Sequence, residues 1–301
     1  MLSFYPVANL CRKEYRDTLE KCSFTFKSCE YSYANILAWS DIYNTRFAKS
    51  SEGYVFLLQY GGKNYYLCPV VSLDNVCAAF NEISEYEMSL GANSVNFVYL
   101  PEVYAKAFEK SFPNVKISTN RATYDYIYSR QSLSEFSGKA LHAKKNHRNK
   151  FFALYGDSYR YRVMTSEDVP ACHKFNKEWY ELNSAFSLSE ERISTEKLLD
   201  NFDALGLSGG MIFVNDKLCA YTLASDNYDG SDTIIIHTEK GLYDIKGVYP
   251  TICSEFLRQS ATSYEFANRE DDVGDEGLRK SKMSYNPICL EEKFTAEIII
   301  K

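Results

Sequence analysis

The residues best suited to chemistry are concentrated in one stretch, residues 268–287, which reads N-R-E-D-D-V-G-D-E-G-L-R-K-S-K-M-S-Y-N-P. It holds five carboxylates, four cations and a tyrosine, and it follows an apolar segment that predicts a short strand. Carboxylates can act as general bases, cations can stabilise an oxyanion, and a tyrosine can donate a proton. A solvated loop whose charges pair locally has a similar composition. The stretch therefore indicates either a site or an ordinary charged loop.

Residue type suggests a role for each candidate in this stretch. The catalytic candidates are a base, an oxyanion-stabilising cation and a proton donor: Glu270, Lys282 and Tyr285. The candidates for substrate binding carry an amide or a guanidinium: Asn268, Arg269 and Arg279. We expect the remaining acids to pair with nearby cations or to cap a short helix that begins near Asp275.

A second candidate segment is residues 234–258, in which an apolar strand is followed by a glycine-bearing loop and by Pro250 at a predicted helix start. The strand end supplies Glu239 as a further candidate base. It also supplies His237 for substrate binding, although a histidine on such a strand is commonly a core residue. Free N–H groups at a helix start attract anions. The junction therefore predicts a binding site for the phosphate of a donor substrate, formed by Lys246, Gly247, Val248 and Tyr249.

A basic run lies between the two halves of the chain, in a segment that predicts one helix from Leu133 to about Leu154. Residues 139–150 contain no acid, although the whole chain has a net charge of −6. Such a run is typical of a strip that binds phosphate or tRNA, and equally of a solvated linker helix. We assign four cations to the strip: Lys139, Lys144, Lys145 and Arg148.

Other features limit the classes of function. The nine cysteines are scattered without a C-x-x-C pair, which is typical of free thiols in a reducing compartment. The sequence has no Walker loop, dinucleotide fingerprint, nucleophile elbow or H-E-x-x-H, and the acidic run lacks EF-hand register. We therefore expect no metal and no tightly bound cofactor. With neither a signal peptide nor an apolar run long enough to span a membrane, the sequence predicts a cytoplasmic protein.

The predicted elements repeat. Two helices, a hairpin, a helix and a strand occur in this order in each half, and turn signals mark the hairpins at Gly61-Gly62 and Asn215-Asp216. This pattern favours a mixed α/β (α+β) class with duplicated architecture. We predict a first domain over residues 1–131, the basic linker helix over 132–155, and a second domain over 156–301 that carries the site.

Four segments resemble a family of bacterial proteins similar to the C-terminal domain of phosphatidylglycerol lysyltransferase. In chain order they are D-Y-I-Y at 125–128, residues 138–151, I-H-T-E-K at 236–240 and residues 268–287. The resemblance covers nearly the whole chain. It implies two tandem GNAT-like acyltransferase folds packed together, which are also similar to the Fem-type peptidoglycan aminoacyltransferases. Those relatives transfer an aminoacyl group from aminoacyl-tRNA, whereas classical GNAT enzymes use acyl-CoA.

The resemblance also bears on individual residues. Residues 246–249 fall where the fold binds a donor's phosphate, although they hold fewer glycines than the acetyl-CoA signature. Lys282 matches a lysine that follows a Gly-Leu pair in Fem-like proteins, where it could stabilise an oxyanion or a donor phosphate. The lysyltransferase has a membrane-embedded half that this sequence lacks, so we do not expect a lipid acceptor.

The sequence therefore predicts an acyltransferase or aminoacyltransferase. Glu239 or Glu270 would deprotonate an amine or hydroxyl of a small molecule or peptide, and this acceptor would attack the activated carbonyl. Backbone amides with Lys282 or Arg279 would stabilise the oxyanion, and Tyr285 would protonate the leaving group. The donor is left open between aminoacyl-tRNA and acyl-CoA. The alternative is a non-catalytic module that keeps the fold and binds a ligand or peptide.

Overall fold

A computed structural model describes residues 1–22, 27–182 and 189–300 of the chain. They divide into two units, each built on a seven-stranded mixed sheet. Unit 1 contains residues 1–125, 227–229 and 291–301, and unit 2 contains residues 126–226 and 230–290. Sheets flanked by helices in both units correspond to the predicted mixed α/β class.

Unit 1 places its strands in the order β1-β2-β3-β4-β5-β14-β6. Its strands are β1 Tyr5–Pro6, β2 Arg46–Lys49, β3 Tyr54–Tyr60, β4 Lys63–Leu67, β5 Ser94–Leu100, β6 Lys116–Thr119 and β14 Phe294–Ile299. Its helices are α1 Arg12–Lys21, α2 Tyr33–Ala38, α3 Val76–Ser89 and α4 Glu102–Ser111. Strands β4 and β5 run parallel and are connected through α3, so they form a βαβ crossover. Such crossovers are right-handed in most proteins.

Unit 2 places its strands in the order β13-β7-β12-β11-β10-β9-β8. Its strands are β7 Asp125–Ser129, β8 Tyr159–Val163, β9 Ser208–Val214, β10 Lys217–Ser225, β11 Thr233–Gly241, β12 Phe266–Asn268 and β13 Cys289–Glu291. Its helices are α5 Arg130–Glu135, α6 His142–Tyr155, α7 Val169–Leu182, α8 Ser189–Asp200, α9 Phe202–Leu205, α10 Val248–Gln259 and α11 Glu276–Met283. The parallel strands β11 and β12 are connected through α10, as β4 and β5 are through α3.

Turn chemistry predicts both hairpins correctly. Gly61-Gly62 joins the antiparallel strands β3 and β4, and Asn215-Asp216 joins β9 and β10. All four turn residues have positive φ, between 50° and 74°. Two-residue hairpin turns require this conformation, and Gly, Asn and Asp adopt it at least cost.

The single linker helix predicted from Leu133 to about Leu154 is wrong. The segment forms two helices, α5 and α6, which are separated by Phe136 at φ 50° and Gly138 at φ 86°. A left-handed residue followed by glycine is a common helix ending, so the F-S-G-K sequence was the missed signal. The single final strand predicted near residues 288–300 is also wrong, since β13 and β14 belong to different sheets.

Apolar residues from β7, β11, β12 and α10 contribute to one buried hydrophobic core cluster of unit 2. Its fully buried members include Tyr126, Ile234, Phe256 and Ala267. Such a core positions the polar residues that follow the strands, because those residues leave the sheet at fixed points. Within the described part of the chain, no helix has the length and apolar character needed to cross a membrane.

Candidate active site

The candidate site of unit 2 lies where β11 and β12 separate. The two strands pair in parallel over three residues each, ending with Ile235 opposite Asn268. Strand β12 ends there, whereas β11 continues to Gly241. Ligands of open α/β sheets bind at the carboxyl ends of parallel strands, where such a gap opens. Both segments singled out in the sequence, residues 268–287 and the end of β11, therefore meet at this point.

A β-bulge at His237 decides which side chains face the gap. Leu223 of β10 pairs with Thr238, but the next residue, Ala224, pairs with Ile236, so His237 is an extra residue in β11. An extra residue exchanges the faces of the side chains that follow it. Glu239 consequently lies on the same face as Ile236.

Glu239 and Arg269 form an ion pair across the gap, with Arg269 Nη2 3.0 Å from Glu239 Oε2. The two side chains are only 9% and 13% exposed, respectively. The other oxygen of Glu239, Oε1, and the other amino nitrogen of Arg269, Nη1, are buried without a hydrogen-bond partner in the described part of the chain. Native proteins leave few buried polar atoms unsatisfied, and such atoms call for an explanation such as a catalytic role or an ordered water or ion.

An aromatic ring and a second cation complete this cluster. The guanidinium carbon of Arg269 lies 4.5 Å from the centroid of the Tyr285 ring, and Lys144 Nζ lies 3.8 Å from the same centroid. Both distances are within the range of cation–π attraction. Tyr285 is 3% exposed and the Arg269 side chain is 13% exposed, whereas Lys144 is partly exposed.

Burial shifts the pKa values of these groups. It raises the pKa of Glu239, and the charge of Arg269 opposes the shift. It lowers the pKa of Lys144, an effect to which the charge of Arg269 adds. It also raises the pKa of Tyr285 well above its ordinary value. Tyr285 is therefore a weak acid, which suits a hydrogen-bond donor better than the proton donor predicted from the sequence.

His237 and Glu270 form a second cluster at the gap. His237 Nδ1 lies 2.8 Å from Glu270 Oε1, and His237 Nε2 lies 2.8 Å from Ser225 Oγ at the end of β10. The His237 side chain is 3% exposed and that of Glu270 is 23% exposed. Nothing in the local sequence indicated Ser225, because its proximity to His237 depends on the register of β10 and on the bulge.

Lys282 and Arg279 hold the loop after β12. Lys282 Nζ donates to the backbone carbonyls of Arg269, at 2.6 Å, and of Asp271. The guanidinium of Arg279 binds both oxygens of Asp272, each at 2.9 Å. The observed contacts of Lys282 and Arg279 are thus with the protein itself. The predicted oxyanion and substrate-binding roles of these two residues stay predictions.

Asn268 and Asp275 also order this loop. Asn268, which the sequence predicts to bind substrate, is buried, and its Oδ1 accepts a hydrogen bond from the backbone N–H of Glu270 at 2.7 Å. The Asn268 side chain thus stabilises a turn. Asp275 caps α11 and accepts the N–H of Leu278 at 2.6 Å, as expected for the remaining acids of the stretch. The loop therefore displays Arg269 and Glu270 from a backbone with many fixed hydrogen bonds.

We expect the Asp272–Arg279 pair to make stability depend on pH. Burial would raise the pKa of Asp272, but hydrogen bonds from Arg279, Tyr126 and Gly274 outweigh it and hold this pKa well below its usual range. The folded pKa is below the unfolded one, so the stabilisation is complete above about pH 4 and declines as the pH falls further. The difference in urea midpoint between the wild type and Asp272→Asn should therefore become progressively smaller as the pH falls below about 4. A gap independent of pH would contradict this linkage.

The predicted phosphate site at residues 246–249 differs from expectation. Helix α10 begins at Val248, whose N–H donates to the Ile245 carbonyl at 3.2 Å. The prediction that all the junction N–H groups are free is therefore wrong for Val248. The Tyr249 hydroxyl donates to the Gly241 carbonyl at 3.0 Å, and Lys246 is exposed. Pro250, predicted at the helix start, is the third residue of α10 and supplies no N–H.

Gly247 allows α6 and α10 to approach closely. Its φ is 83°, and a Cβ placed on it would lie 2.3 Å from the His147 carbonyl oxygen of α6. We expect Gly247→Ala to destabilise unit 2 by more than the ~1–3 kcal/mol of backbone strain alone. Gly230→Ala is a matched control, since Gly230 has the same φ of 83° with open space around it. Equal losses in urea unfolding for the two variants would show that the helix approach is not tight.

The basic strip divides into inward and outward residues. Arg148 donates to the Ser134 carbonyl at 3.1 Å and to Ser254 Oγ at 2.7 Å, so it joins α6 to α5 and α10. Lys144 faces Tyr285, as described above. Lys139 and Lys145 are exposed. Two of the four cations assigned to the strip are therefore structural or part of the site cluster.

Comparison with known proteins identifies the class. A crystal structure of a conserved protein of unknown function from Bacteroides thetaiotaomicron superimposes with a TM-score of 0.88 and 32% identity, covering 99% of this chain and 100% of that one. L-PGS from Bacillus licheniformis gives 0.65 and 14% identity, covering 94% and 90%. FemX gives 0.68 and 9% identity, covering 97% and 96%. The fold is the predicted tandem GNAT-like fold.

The family follows from the sequence match. Residues 23–297 match the model of the family described as phosphatidylglycerol lysyltransferase, C-terminal. The chain belongs to this family, which confirms the resemblance seen in residues 125–128, 138–151, 236–240 and 268–287.

Proposed function

We propose that unit 2 transfers an aminoacyl group from an activated donor to an amine or hydroxyl acceptor. The observation that supports this most directly is the buried Glu239–Arg269 pair, in which Oε1 and Nη1 lack hydrogen-bond partners within the described residues. Since Oε2 and Nη2 are bonded to each other at 3.0 Å, the two unsatisfied atoms belong to adjacent groups. One accepts a hydrogen bond and the other donates one.

An aminoacyl ester carries the complementary pair of groups. Its α-ammonium, which donates, is attached to the carbon next to its carbonyl, which accepts. In the proposed complex, Glu239 Oε1 binds the ammonium and Arg269 Nη1 binds the carbonyl oxygen. As the acceptor attacks the carbonyl carbon, negative charge develops on that oxygen, and Arg269 stabilises it in a dry setting. The ester oxygen of the donor then leaves.

The geometry favours aminoacyl-tRNA over acyl-CoA as the donor. An acyl-CoA donor would rely on free amides at the start of α10, where the Val248 N–H is already bonded and Pro250 has none. The name of the family whose model matches, phosphatidylglycerol lysyltransferase, also points toward an aminoacyl donor. The acceptor is proposed to be a small molecule or peptide with a free amine or hydroxyl.

A panel of ligands tests this proposal directly. Purified chain is incubated with radiolabelled aminoacyl-tRNAs or acyl-CoA esters and with amine and hydroxyl acceptors, and transfer is followed alongside thermal stabilisation. We expect transfer from aminoacyl-tRNA, with no stabilisation by CoA esters. A ligand at a hundredfold excess over its Kd should stabilise by about 2.7 kcal/mol. Stabilisation without transfer would favour the non-catalytic binding module instead.

The outward lysines of the strip provide a test of tRNA binding. We expect Lys139→Ala/Lys145→Ala to weaken tRNA binding and to reduce the slope of log Kobs against log salt by up to about 2, roughly 1 for each lost phosphate contact. The control Lys63→Ala/Lys217→Ala removes the same charge from exposed positions elsewhere. Filter binding between low and moderate salt measures the slopes. Equal slopes for the two double variants would count against the strip.

A further inference from the structure

Ser225, His237 and Glu270 form a hydrogen-bonded chain of hydroxyl, imidazole and carboxylate. Both links are 2.8 Å long. An ionised carboxylate only accepts hydrogen bonds, so Nδ1 of the neutral ring must carry its proton toward Glu270. Nε2 is then the acceptor for the Ser225 hydroxyl. The carboxylate thus fixes the tautomer, and the serine hydroxyl donates to the remaining ring nitrogen.

The exposure of these three side chains shows which end of the hydrogen-bonded series can reach a substrate. In a serine hydrolase triad the hydroxyl meets the substrate and the acid lies behind the histidine. Here the order is reversed. The Glu270 side chain is 23% exposed, whereas the His237 side chain is 3% exposed and Ser225 is 5% exposed. The carboxylate is therefore the outer, reactive end, and the serine is the inner support.

We propose that Glu270 is the base that removes the proton of the acceptor, and that His237 and Ser225 are positioning residues for its carboxylate. This inference rests on the proposed function and deepens it. As the acceptor's nitrogen or oxygen bonds to the donor carbonyl carbon, its N–H or O–H bond breaks and the proton passes to Glu270. The proton later leaves with the ester oxygen of the donor or to water, which restores the carboxylate.

Glu239 is less suited to this task. One of its oxygens is bonded to Arg269 at 3.0 Å and its side chain is 9% exposed. Protonating Glu239 would leave the buried guanidinium of Arg269 without a counter-charge, which is costly. Glu270, by contrast, is bonded to the His237 imidazole and is the more exposed of the two carboxylates, at 23%. In the proposed reaction Glu239 therefore binds the substrate ammonium, and Glu270 removes the proton of the acceptor.

The backbone supports this assignment. Glu270 has φ 55°, in the left-handed region that non-glycine residues seldom adopt. Its N–H is held by Asn268 Oδ1 at 2.7 Å, and its carbonyl accepts the N–H of Tyr126 at 3.2 Å. Strained residues persist where the surroundings fix them, often at functional sites. The result of this conformation is a carboxylate directed at His237, on the residue that follows Arg269 in the chain.

The hydrogen-bond arrangement can be tested without any activity. The chain has four histidines, so nitrogen NMR of the histidine-labelled full chain resolves the His237 ring by comparison with His237→Asn. We expect a proton on Nδ1 and a bare Nε2, and we expect Ser225→Ala to shift the Nε2 resonance, which loses its hydrogen bond, while Ser225→Thr leaves it in place. A proton on Nε2 in the wild-type chain would overturn the arrangement, because Nε2 could then no longer accept the Ser225 hydroxyl.

Kinetics then test the role of the base. We expect Glu270→Gln to lower kcat by about 10²–10⁴-fold. Ser225→Ala should lower kcat about tenfold, as expected for a positioning residue, and Ser225→Thr should restore it. Glu239→Gln, by contrast, should act mainly on KM. A folded Glu270→Gln variant with wild-type kcat would overturn the assignment of the base alone. A wild-type chain inactive with every donor would overturn the proposed function as well.

Discussion

Glu239→Ala is expected to destabilise unit 2 by about 3–5 kcal/mol and to abolish transfer. The substitution removes the counter-charge of Arg269, whose side chain is 13% exposed and cannot lose its proton at any ordinary pH. A buried guanidinium without a partner is the costly outcome of breaking such a pair. Transfer should be lost because the proposed ligand for the substrate ammonium is removed with the carboxylate.

Urea unfolding can follow this loss in unit 2 separately. The chain has two tryptophans, Trp39 in unit 1 and Trp179 in unit 2. In a Trp39→Phe background the remaining fluorescence reports unit 2, which avoids treating a two-unit chain as one transition. The background is identical for variant and reference, so its own effect cancels in the difference.

A double variant separates stability from function. Replacing both members of a buried ion pair by apolar residues of similar volume is often neutral or stabilising. We therefore expect Glu239→Leu/Arg269→Met to recover most of the stability lost in Glu239→Ala while remaining inactive. If this double variant still transferred aminoacyl groups, the pair would have no part in substrate binding. If Glu239→Ala unfolded like the wild type, the pair would be less buried than the structure indicates.

Much of the fold could be predicted from the chemistry of short sequence segments. The hairpins at Gly61-Gly62 and Asn215-Asp216 were predictable because their residues tolerate the positive φ that such turns require. The strands β11 and β12 were also predictable from short apolar runs. The end of α5 was missed because helical periodicity was extended across the S-G pair at 137–138, where a left-handed turn breaks it.

The candidate site was only partly accessible from sequence. Glu239 and Arg269 were both singled out, but the bulge that turns Glu239 toward Arg269 is a property of strand pairing, which local spacing does not encode. Ser225 was missed for the same reason.

The division of the basic strip had a visible signal. Lys144 and Arg148 are four residues apart and share a helix face with the buried Leu141 and Phe151, so helical periodicity alone would have turned them inward.

The ion network of unit 1 is the other place where a single substitution should have a large effect. Lys293 Nζ lies 2.7 Å from Asp125 Oδ1 and 2.5 Å from Glu30 Oε1. The side chains of Lys293 and Asp125 are 2% and 0% exposed. With Cys29, these acids form a group whose ligand atoms lie within 4.8 Å of one another, a spacing that could hold a metal ion. The lysine ammonium supplies positive charge at this place.

Lys293→Met should therefore destabilise unit 1 by about 3–5 kcal/mol, because it leaves two carboxylates together in a buried setting. The control is Lys116→Met, which breaks the exposed pair between Lys116 and Glu297 at 3.1 Å in the same sheet. An exposed pair contributes roughly 0–1 kcal/mol. Urea unfolding read by Trp39 in a Trp179→Phe background measures both variants. If Lys293→Met cost no more than Lys116→Met, the buried network would not be what holds the C-terminal segment of the chain in unit 1.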